Sequence, residues 1–311
     1  MSIICFTADQ HIKLGQKNVP ADWQVNRFML LAKQLNTVEC DYHVFGGDLL
    51  DRANPTVQEL GLMYDFLNAI NKPIVLISGN HELQTKTRDC FVFLDQMMKD
   101  LGVTVIREFQ TYDGVDYIPY NILHGSWEPS TPLAFTHVRG EIPPHVLPEV
   151  DLERFSPYDK VFAGDLHSYS NSQLNILYPG SPFSTSFHRN CPTGSNGLFL
   201  INTDSGSHVW VELVLPQLIR KTVKDAKDII PTTYHHTIYE LEGSLESLAL
   251  VKDSELLDKK LTKDVTAPPT LNMSGVMAEE LAEFLVRIRD IKEEEISTYV
   301  TLFTETLNDS S

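Results

Sequence analysis

The side chains able to do chemistry in this chain fall into five short groups in a fixed order. Asp9-Gln10-His11 comes first, followed by Gly46-Gly47-Asp48-Leu49-Leu50-Asp51-Arg52 and Gly79-Asn80-His81-Glu82. A Thr136-His137 pair and Gly164-Asp165-Leu166-His167 complete the series. Oxygen and imidazole donors of this kind assemble a binuclear metal centre from dispersed sequence when the fold brings them to one place. Asp9 and His11 are two apart, so on an extended segment they point the same way and can share one cation. Asp48 follows two glycines that let backbone and ligand approach closely, and its two oxygens can bridge two metals, which an imidazole cannot do. Asn80 adds a neutral carbonyl oxygen. His81, on the same turn, is the group to stabilise a transferred phosphoryl or protonate a departing oxygen.

These groups need a scaffold, and the sequence around them supplies one. Each follows or ends a short apolar run that reads as a strand: Ile3 to Thr7, Tyr42 to Phe45, Ile74 to Ser78, Leu133 to Thr136 and Lys160 to Ala163. Between them, Trp23 to Val38 carries Val25, Phe28, Leu31 and Leu35 at helical spacing. A second helix is expected with Pro55 in its first turn, running to Ile70, and a third from Asp89 to Leu101, stopped by Gly102. This βαβα order predicts a layered α/β domain whose strand ends converge on one edge. From Asn175 to Pro216 the pattern turns to strands, with a hairpin expected between Gly197–Ile201 and His208–Leu215. Residues 220–266 are more polar with one alternating run, His236 to Leu241, and read as a small accessory region. Ala267-Pro268-Pro269-Thr270 through Gly275 has linker composition. Beyond it, Leu281, Leu285, Ile288 and Ile291 form one helical stripe, and Ile296, Val300, Phe303 and Leu307 another. Such stripes either pack on their own domain or dock on another protein.

The 311 residues are enough for one full domain and a smaller one. No apolar run approaches the ~20 residues that cross a bilayer, and the N-terminus lacks a basic n-region and cleavage site, so Ile3 to Phe6 is read as a first strand. Four widely spaced cysteines without a CxxC pair suggest reduced thiols and a cytoplasmic setting. The net charge of −17 works against tight binding of a phosphate backbone by this chain alone. Residues 1–219 carry −10 and residues 220–311 carry −7, of which two divalent cations would cancel only 4 charges at the site. A polynucleotide substrate would therefore need grip from elsewhere.

Any single Asp-x-His or Gly-Asp pair arises by chance, and His43, His145, His188, His208, His235 and His236 read as ordinary polar residues. His124 competes with His137 as the fourth element. The ordered set as a whole resembles the calcineurin-like metallophosphoesterase superfamily, and within it the DNA-repair nucleases: the SbcD subunit and, most closely, recombination endonuclease subunits of tailed phages. The resemblance is strong over residues 1–215. It implies a βαβαβ sandwich of two mixed sheets flanked by helices (residues 1–219), an α+β cap (220–266), a linker (267–275) and a helical docking segment (276–311). It also implies one metal on Asp9, His11, Asp48 and His167, and another on Asp48, Asn80, His137 and Asp165. His81 would be the catalytic histidine, Asp51 would lie near the substrate phosphate, and Arg52 would contact phosphate or brace its loop. Tyr178-Pro179-Gly180-Ser181-Pro182-Phe183 matches the YPGSP segment of this branch. One departure stands out: Asp165 replaces the first His of the usual GHxH, a harder ligand that favours Mn²⁺ or Mg²⁺.

The expected reaction is phosphodiester hydrolysis of DNA by a water activated between two metals. The expected partner is an SMC-like ABC ATPase of the SbcC type, gripped by helices within 276–308, with a homodimer common in the family and a host bacterial cytoplasm as location if the chain is phage-encoded. Two alternatives remain: a phosphatase or phosphodiesterase for small molecules or phosphoproteins, and a non-catalytic scaffold, for which Asp165 is the only support.

Overall fold

Alternation within the buried strands dictates how the layers stack. In a computed structural model, described over residues 2–187, 195–230 and 232–243 with short stretches and single positions from 248 on, the chain begins with β1 (Ile3–Thr7), α1 (Ala21–Leu35), β2 (Tyr42–Gly46), α2 (Val57–Asn68) and β3 (Ile74–Ile77). A small hairpin, β4 (Leu83–Thr85) and β5 (Arg88–Asp89), precedes α3 (Asp95–Asp100) and β6 (Val103–Ile106). Then follow β7 (Gln110–Tyr112), β8 (Val115–Ile118), β9 (Leu133–His137), β10 (Lys160–Gly164), β11 (Ile176–Leu177), β12 (Gly197–Asn202) and β13 (His208–Glu212). The last described strands are β14 (Leu218–Val223), β15 (His236–Gly243) and β16 (Leu257–Leu261).

Two mixed sheets result, ordered β13-β12-β1-β2-β3-β6 and β11-β10-β9-β8-β7. Strands β1, β2, β3 and β6 run parallel, as do β8, β9, β10 and β11, while β12 joins β1 antiparallel. Ile4, Phe6, Tyr42, Val44, Val75 and Ile77 face Val115, Tyr117, Leu133, Phe135 and Phe162 in one core between the sheets. The intervening residues Cys5, Phe45, Ile74 and Leu76 face the other way, onto Phe28, Leu31, Leu35, Met63 and Phe66 of α1 and α2. Ala134, Val161, Ala163 and Ile176 similarly cover Trp127, Phe155 and Tyr158 on the outer face of the second sheet. Strands buried on both faces account for the near-continuous apolar runs seen in the sequence. The expected sandwich of two mixed sheets is the observed fold.

Three local expectations are corrected. Helix α1 starts at Ala21, where Pro20 accepts the first bond from the Gln24 N–H (3.1 Å), and ends at Leu35 before Val38. Pro55 lies outside α2: the helix opens on a Thr56/Glu59 capping box, in which the Thr56 hydroxyl accepts from the Glu59 N–H (3.2 Å) and the Glu59 carboxylate accepts from the Thr56 N–H (2.7 Å). The third helix is shorter than expected, because Asp89 pairs in β5 and Cys90–Leu94 forms a 3₁₀ turn ahead of α3. By internal contacts the chain divides into Met1–Lys260 and Leu261–Ser311. In the first unit, β14 and β15 pair in parallel over Leu218–Val223 and His236–Leu241, an arrangement the sequence did not suggest. The whole of the linker, and Ile288, Ile291, Phe303 and Leu307 of the two terminal stripes, lie outside the described residues; Leu281, Leu285, Ile296 and 298–301 are helical.

Candidate metal centre

Asp9 and His11 follow β1, Asp48 follows β2, Asn80 and His81 follow β3, His137 ends β9, and Asp165 and His167 follow β10. All five strand ends open on the same rim because both sheets are parallel there, and the sandwich stacks the two rims together. The loops are stitched to one another by backbone bonds: Asp9 N–H donates to Gly47 O (3.0 Å), His11 N–H to Asp48 O (2.9 Å) and Ile12 N–H to Leu49 O (2.8 Å). Asp9, His11, Asp48 and Asp165 all sit at positive φ, between 48° and 96°, a region sparsely populated by residues with a Cβ. Gly79 is needed for the same close approach, since a Cβ there would run into the Asp48 carboxylate.

The side chains converge. Asp48 Oδ2 lies 3.5 Å from His137 Nε2, 3.6 Å from His11 Nε2 and 3.9 Å from His81 Nε2. His11 Nε2 is 3.1 Å from His167 Nε2, and His167 Nε2 is 3.9 Å from Asp9 Oδ1. On the other side, His137 Nε2 is 3.0 Å from Asn80 Oδ1 and 3.9 Å from Asp165 Oδ1. Three overlapping groups, Asp9-His11-His167, His11-Asp48-His81 and Asp9-Asp48-His137, each bring their donor atoms within 4.8 Å of one another. All seven expected ligands are thus gathered at one place, and His124 is excluded from it, its ring lying against Tyr120 (5.9 Å) instead.

The electrostatics call for positive charge. Asp9 and Asp48 are almost fully buried, and among the described residues the ion-pair partners of both are imidazoles, never Lys or Arg. Burial raises the Asp9 carboxyl well above its ordinary value, with the Asp48 and Asp165 charges adding to the effect. Burial works against ionising Asp48 too, yet His137, His11 and His81 hold its pKa below the ordinary range. At His137 burial opposes protonation, but Asp48, Asp9 and Asp165 outweigh it and drive the imidazole pKa well up. Burial brings His11 down to about 3 against the pull of Asp48. A buried set of carboxylate, amide and imidazole donors gathered at this spacing fits divalent metal ions.

Tautomers are fixed by the surrounding carbonyls. His137 Nδ1 donates to Gly46 O (2.9 Å), leaving Nε2 toward Asp48 and Asn80. His81 Nδ1 donates to Asp51 O (2.7 Å), which turns its Nε2 into the site with the side chain 38 % exposed. Asp51 itself is engaged by Lys13 Nζ at 2.6 Å and lies 3.6 Å from His11 Nδ1. Arg52 directs both Nε and Nη2 at the buried Glu59 (3.1 and 2.5 Å), the geometry of a loop brace.

Two further participants, Glu82 in its role as a clamp and Arg139, went unread in the sequence, whereas the Tyr-Pro-Gly-Ser-Pro segment was singled out there. Glu82, the last residue of the Gly-Asn-His-Glu group, accepts backbone N–H bonds from Gly79 (2.7 Å), Leu50 (2.8 Å) and Asp48 (3.1 Å), clamping two loops with one carboxylate. Ser181 of the Tyr-Pro-Gly-Ser-Pro segment donates to Asp9 O at 2.6 Å. Arg139, two residues past His137, grips Asp165 through Nε (3.1 Å) and Nη2 (3.2 Å).

Residues 3–178 match the family described as calcineurin-like phosphoesterase, and the chain belongs to that family. It is a metallophosphoesterase. Over 304 residues it is 42 % identical to a protein of Escherichia phage T5 named "Probable exonuclease subunit 1", an alignment covering 93 % of each chain. A stretch of 85 residues, 26 % of this chain and 24 % of the other, is 29 % identical to the DNA double-strand break repair protein Mre11 of Nanoarchaeum equitans. Among solved structures, that of an archaeal phosphodiesterase matches 67 % of this chain and 98 % of its own at 13 % identity, with a TM-score of 0.39.

Proposed function

We propose that the chain is a two-metal DNA phosphodiesterase, the nuclease subunit of a recombination and repair complex of the SbcCD type. The observation that carries this reading is the Asp48 carboxylate, with three imidazole Nε2 atoms within 4 Å of one of its oxygens. Such a group suits a bridge between one cation on Asp9, His11, Asp48 and His167 and a second on Asn80, His137, Asp165 and the same Asp48. Mn²⁺ is the ion favoured by a carboxylate at position 165. Bound there, the pair supplies Lewis acidity toward a phosphate and lowers the pKa of an attacking water.

The protein's own residues do the rest. His81, held by the Asp51 carbonyl through Nδ1, presents Nε2 where a protonated imidazole can donate to the departing oxygen. Its backbone N–H donates to Asp48 Oδ1 (3.0 Å), so the same residue also fixes the orientation of the bridging carboxylate. The Asp51 carboxylate is paired with Lys13 (2.6 Å), and Arg52 braces the same loop through Glu59.

The phage exonuclease subunit and the double-strand break repair relative support DNA as substrate and a complex as the working form. The net charge of −17 supports a partner that supplies the DNA-binding surface. In this reading residues 1–219 are the nuclease domain, 220–266 a cap, 267–275 a linker, and 276–311 the segment that docks on an SMC-like ABC ATPase. Removing everything after Gly275 is expected to abolish co-purification with such an ATPase while the Mn²⁺ binding isotherm persists. A homodimer belongs to the same proposal, and sedimentation equilibrium tests it.

The acidic surface also favours a second reading, a phosphoesterase for small molecules or phosphoproteins. Linear end-labelled DNA, bis(p-nitrophenyl) phosphate and a phosphomonoester, assayed side by side with Mn²⁺, separate the two. DNA cleavage that is lost on chelation is the expected result. Turnover of the small esters alone would replace the nuclease reading with the second, and no turnover of any substrate would favour a scaffold.

A further inference from the structure

A cleft of about 740 Å³ opens directly beside Asn80, between the β4–β5 hairpin and the turn at Tyr120–Gly125. That volume lies within the roughly 300–1,000 Å³ of small-molecule sites and holds a nucleotide. Its walls differ in kind from the rest of this acidic chain. Among the described residues that line it there is no carboxylate, and Lys86 contributes a positive charge at the hairpin tip. Thr85 and Thr87 offer hydroxyls able both to donate and to accept, and the Gln84 and Asn121 amides, whose nitrogens already donate to Ala53 O, Asn54 Oδ1 and Arg107 O, offer acceptor oxygens.

Two rings connect this cleft to the metal centre. Tyr120 stands edge-on to His137 on one side and to His124 on the other, with centroids 5.9 Å apart in each case. Its hydroxyl is anchored to Glu149 (2.5 Å) and its N–H donates to Ser78 O (3.1 Å), so the ring is fixed by groups on two other loops. The hairpin is fixed as well, by Leu83 N–H to Asn80 O (3.3 Å) and Cys90 N–H to Glu82 O (2.9 Å). Asn80, which meets His137 on one side, thus joins the metal centre to a slot with two aromatic side chains in its lining and a lysine at the hairpin tip.

We infer that this slot receives the nucleotide adjoining the scissile phosphate, its base against the Tyr120 and His124 rings and its next phosphate toward Lys86. Stacking on aromatic faces tolerates any base, and a single lysine on the following phosphate reads backbone and not sequence. The site therefore takes an unpaired nucleotide, a strand end or a frayed position, since a base within a duplex cannot reach a ring at the wall of a slot.

This inference rests on the nuclease reading, and the experiment separates the two. The full chain with Mn²⁺, as wild type and as His124→Ala, Lys86→Ala and the double variant, is assayed on a short single-stranded oligodeoxynucleotide and on bis(p-nitrophenyl) phosphate, which has no base or second phosphate. A third substrate is the same oligonucleotide with an abasic residue next to the cleaved bond. The ratio of kcat/KM on the oligonucleotide to that on the small diester is expected to fall about tenfold for each single change, chiefly through KM. The His124→Ala penalty is expected to vanish on the abasic strand. Full oligonucleotide cleavage by the double variant, or a His124→Ala penalty that survives removal of the base, overturns the slot while leaving the nuclease standing. Wild-type chain that cleaves the small diester and no DNA overturns both.

Discussion

Replacing Arg139 with glutamine tests how the unusual Asp165 behaves toward a metal. The guanidinium holds both carboxylate oxygens, at 3.1 and 3.2 Å, with Asp165 7 % and Arg139 40 % exposed. A hydrogen bond to a charged group contributes about 1.5–3 kcal/mol when shielded. Half-exposure of the arginine lets water compete, which brings the whole pair to about 1–2 kcal/mol. A cation that takes Asp165 as a ligand must weaken this pair, and the arginine's charge repels it besides. Both effects have one sign, so Arg139→Gln is expected to tighten the weaker of the two proposed sites, titrated with Mn²⁺, by roughly five- to thirtyfold, at 1.4 kcal/mol per tenfold. Isothermal titration of metal-stripped protein, resolved into two sites, reads this directly. Weaker binding, or loss of one ion from the stoichiometry, would refute the reasoning and make Arg139 the group that aims Asp165 at the metal.

Three further outcomes follow from the same geometry. His81→Ala keeps the backbone N–H that orients Asp48, so turnover should drop by about 10²–10⁴-fold with the Mn²⁺ isotherm unchanged; equal loss of both would make the residue structural. Glu82→Gln exchanges an acceptor oxygen for a donor amide among three backbone N–H groups, and urea unfolding should register a loss of about 1–3 kcal/mol; an unaltered midpoint would show that the clamp is dispensable. At Glu59 burial disfavours the charge, but bonds from Arg52, Thr56 and Leu14 outweigh it and bring the carboxyl from an ordinary 4.5 to about 2. Its stabilisation is complete above pH 4.5 and disappears as pH falls toward 2, so the urea midpoints of wild type and Glu59→Gln should differ at neutral pH and merge in acid; a constant gap would exclude the linkage.

The strands that carry the site were legible because their flanks have to be. A parallel strand buried on both faces reads as an unbroken apolar run, and a ligand must follow it where the backbone leaves the sheet, as at Ile74–Ile77 before Asn80. What stayed hidden depends on long-range partners. Nothing local to Arg139 announces Asp165, since the two are brought together only by the β9–β10 pairing, in which Gly164 lies opposite His137. Glu82 was visible as a residue type but not as an acceptor for Leu50 and Asp48, which come from a different loop. The Thr56-x-x-Glu59 capping box was present in the sequence, but the neighbouring Pro55 drew the expected helix start two residues too early. The Asp89–Leu101 stretch satisfied helical spacing while its first residues were claimed by the β4–β5 hairpin and a 3₁₀ turn.

Asp9, His11, Asp48 and Asn80 belong to the first sheet, whereas His137, Asp165 and His167 belong to the second. Ions seated among them would act as rivets through the sandwich, tying the two sheets together at this rim. Thermal resistance should accordingly track free metal, by about 2.7 kcal/mol at a hundred times the dissociation constant. Sheets that mate out of register would leave the seat incomplete, so metal captured there would report that the two sheets had mated in register.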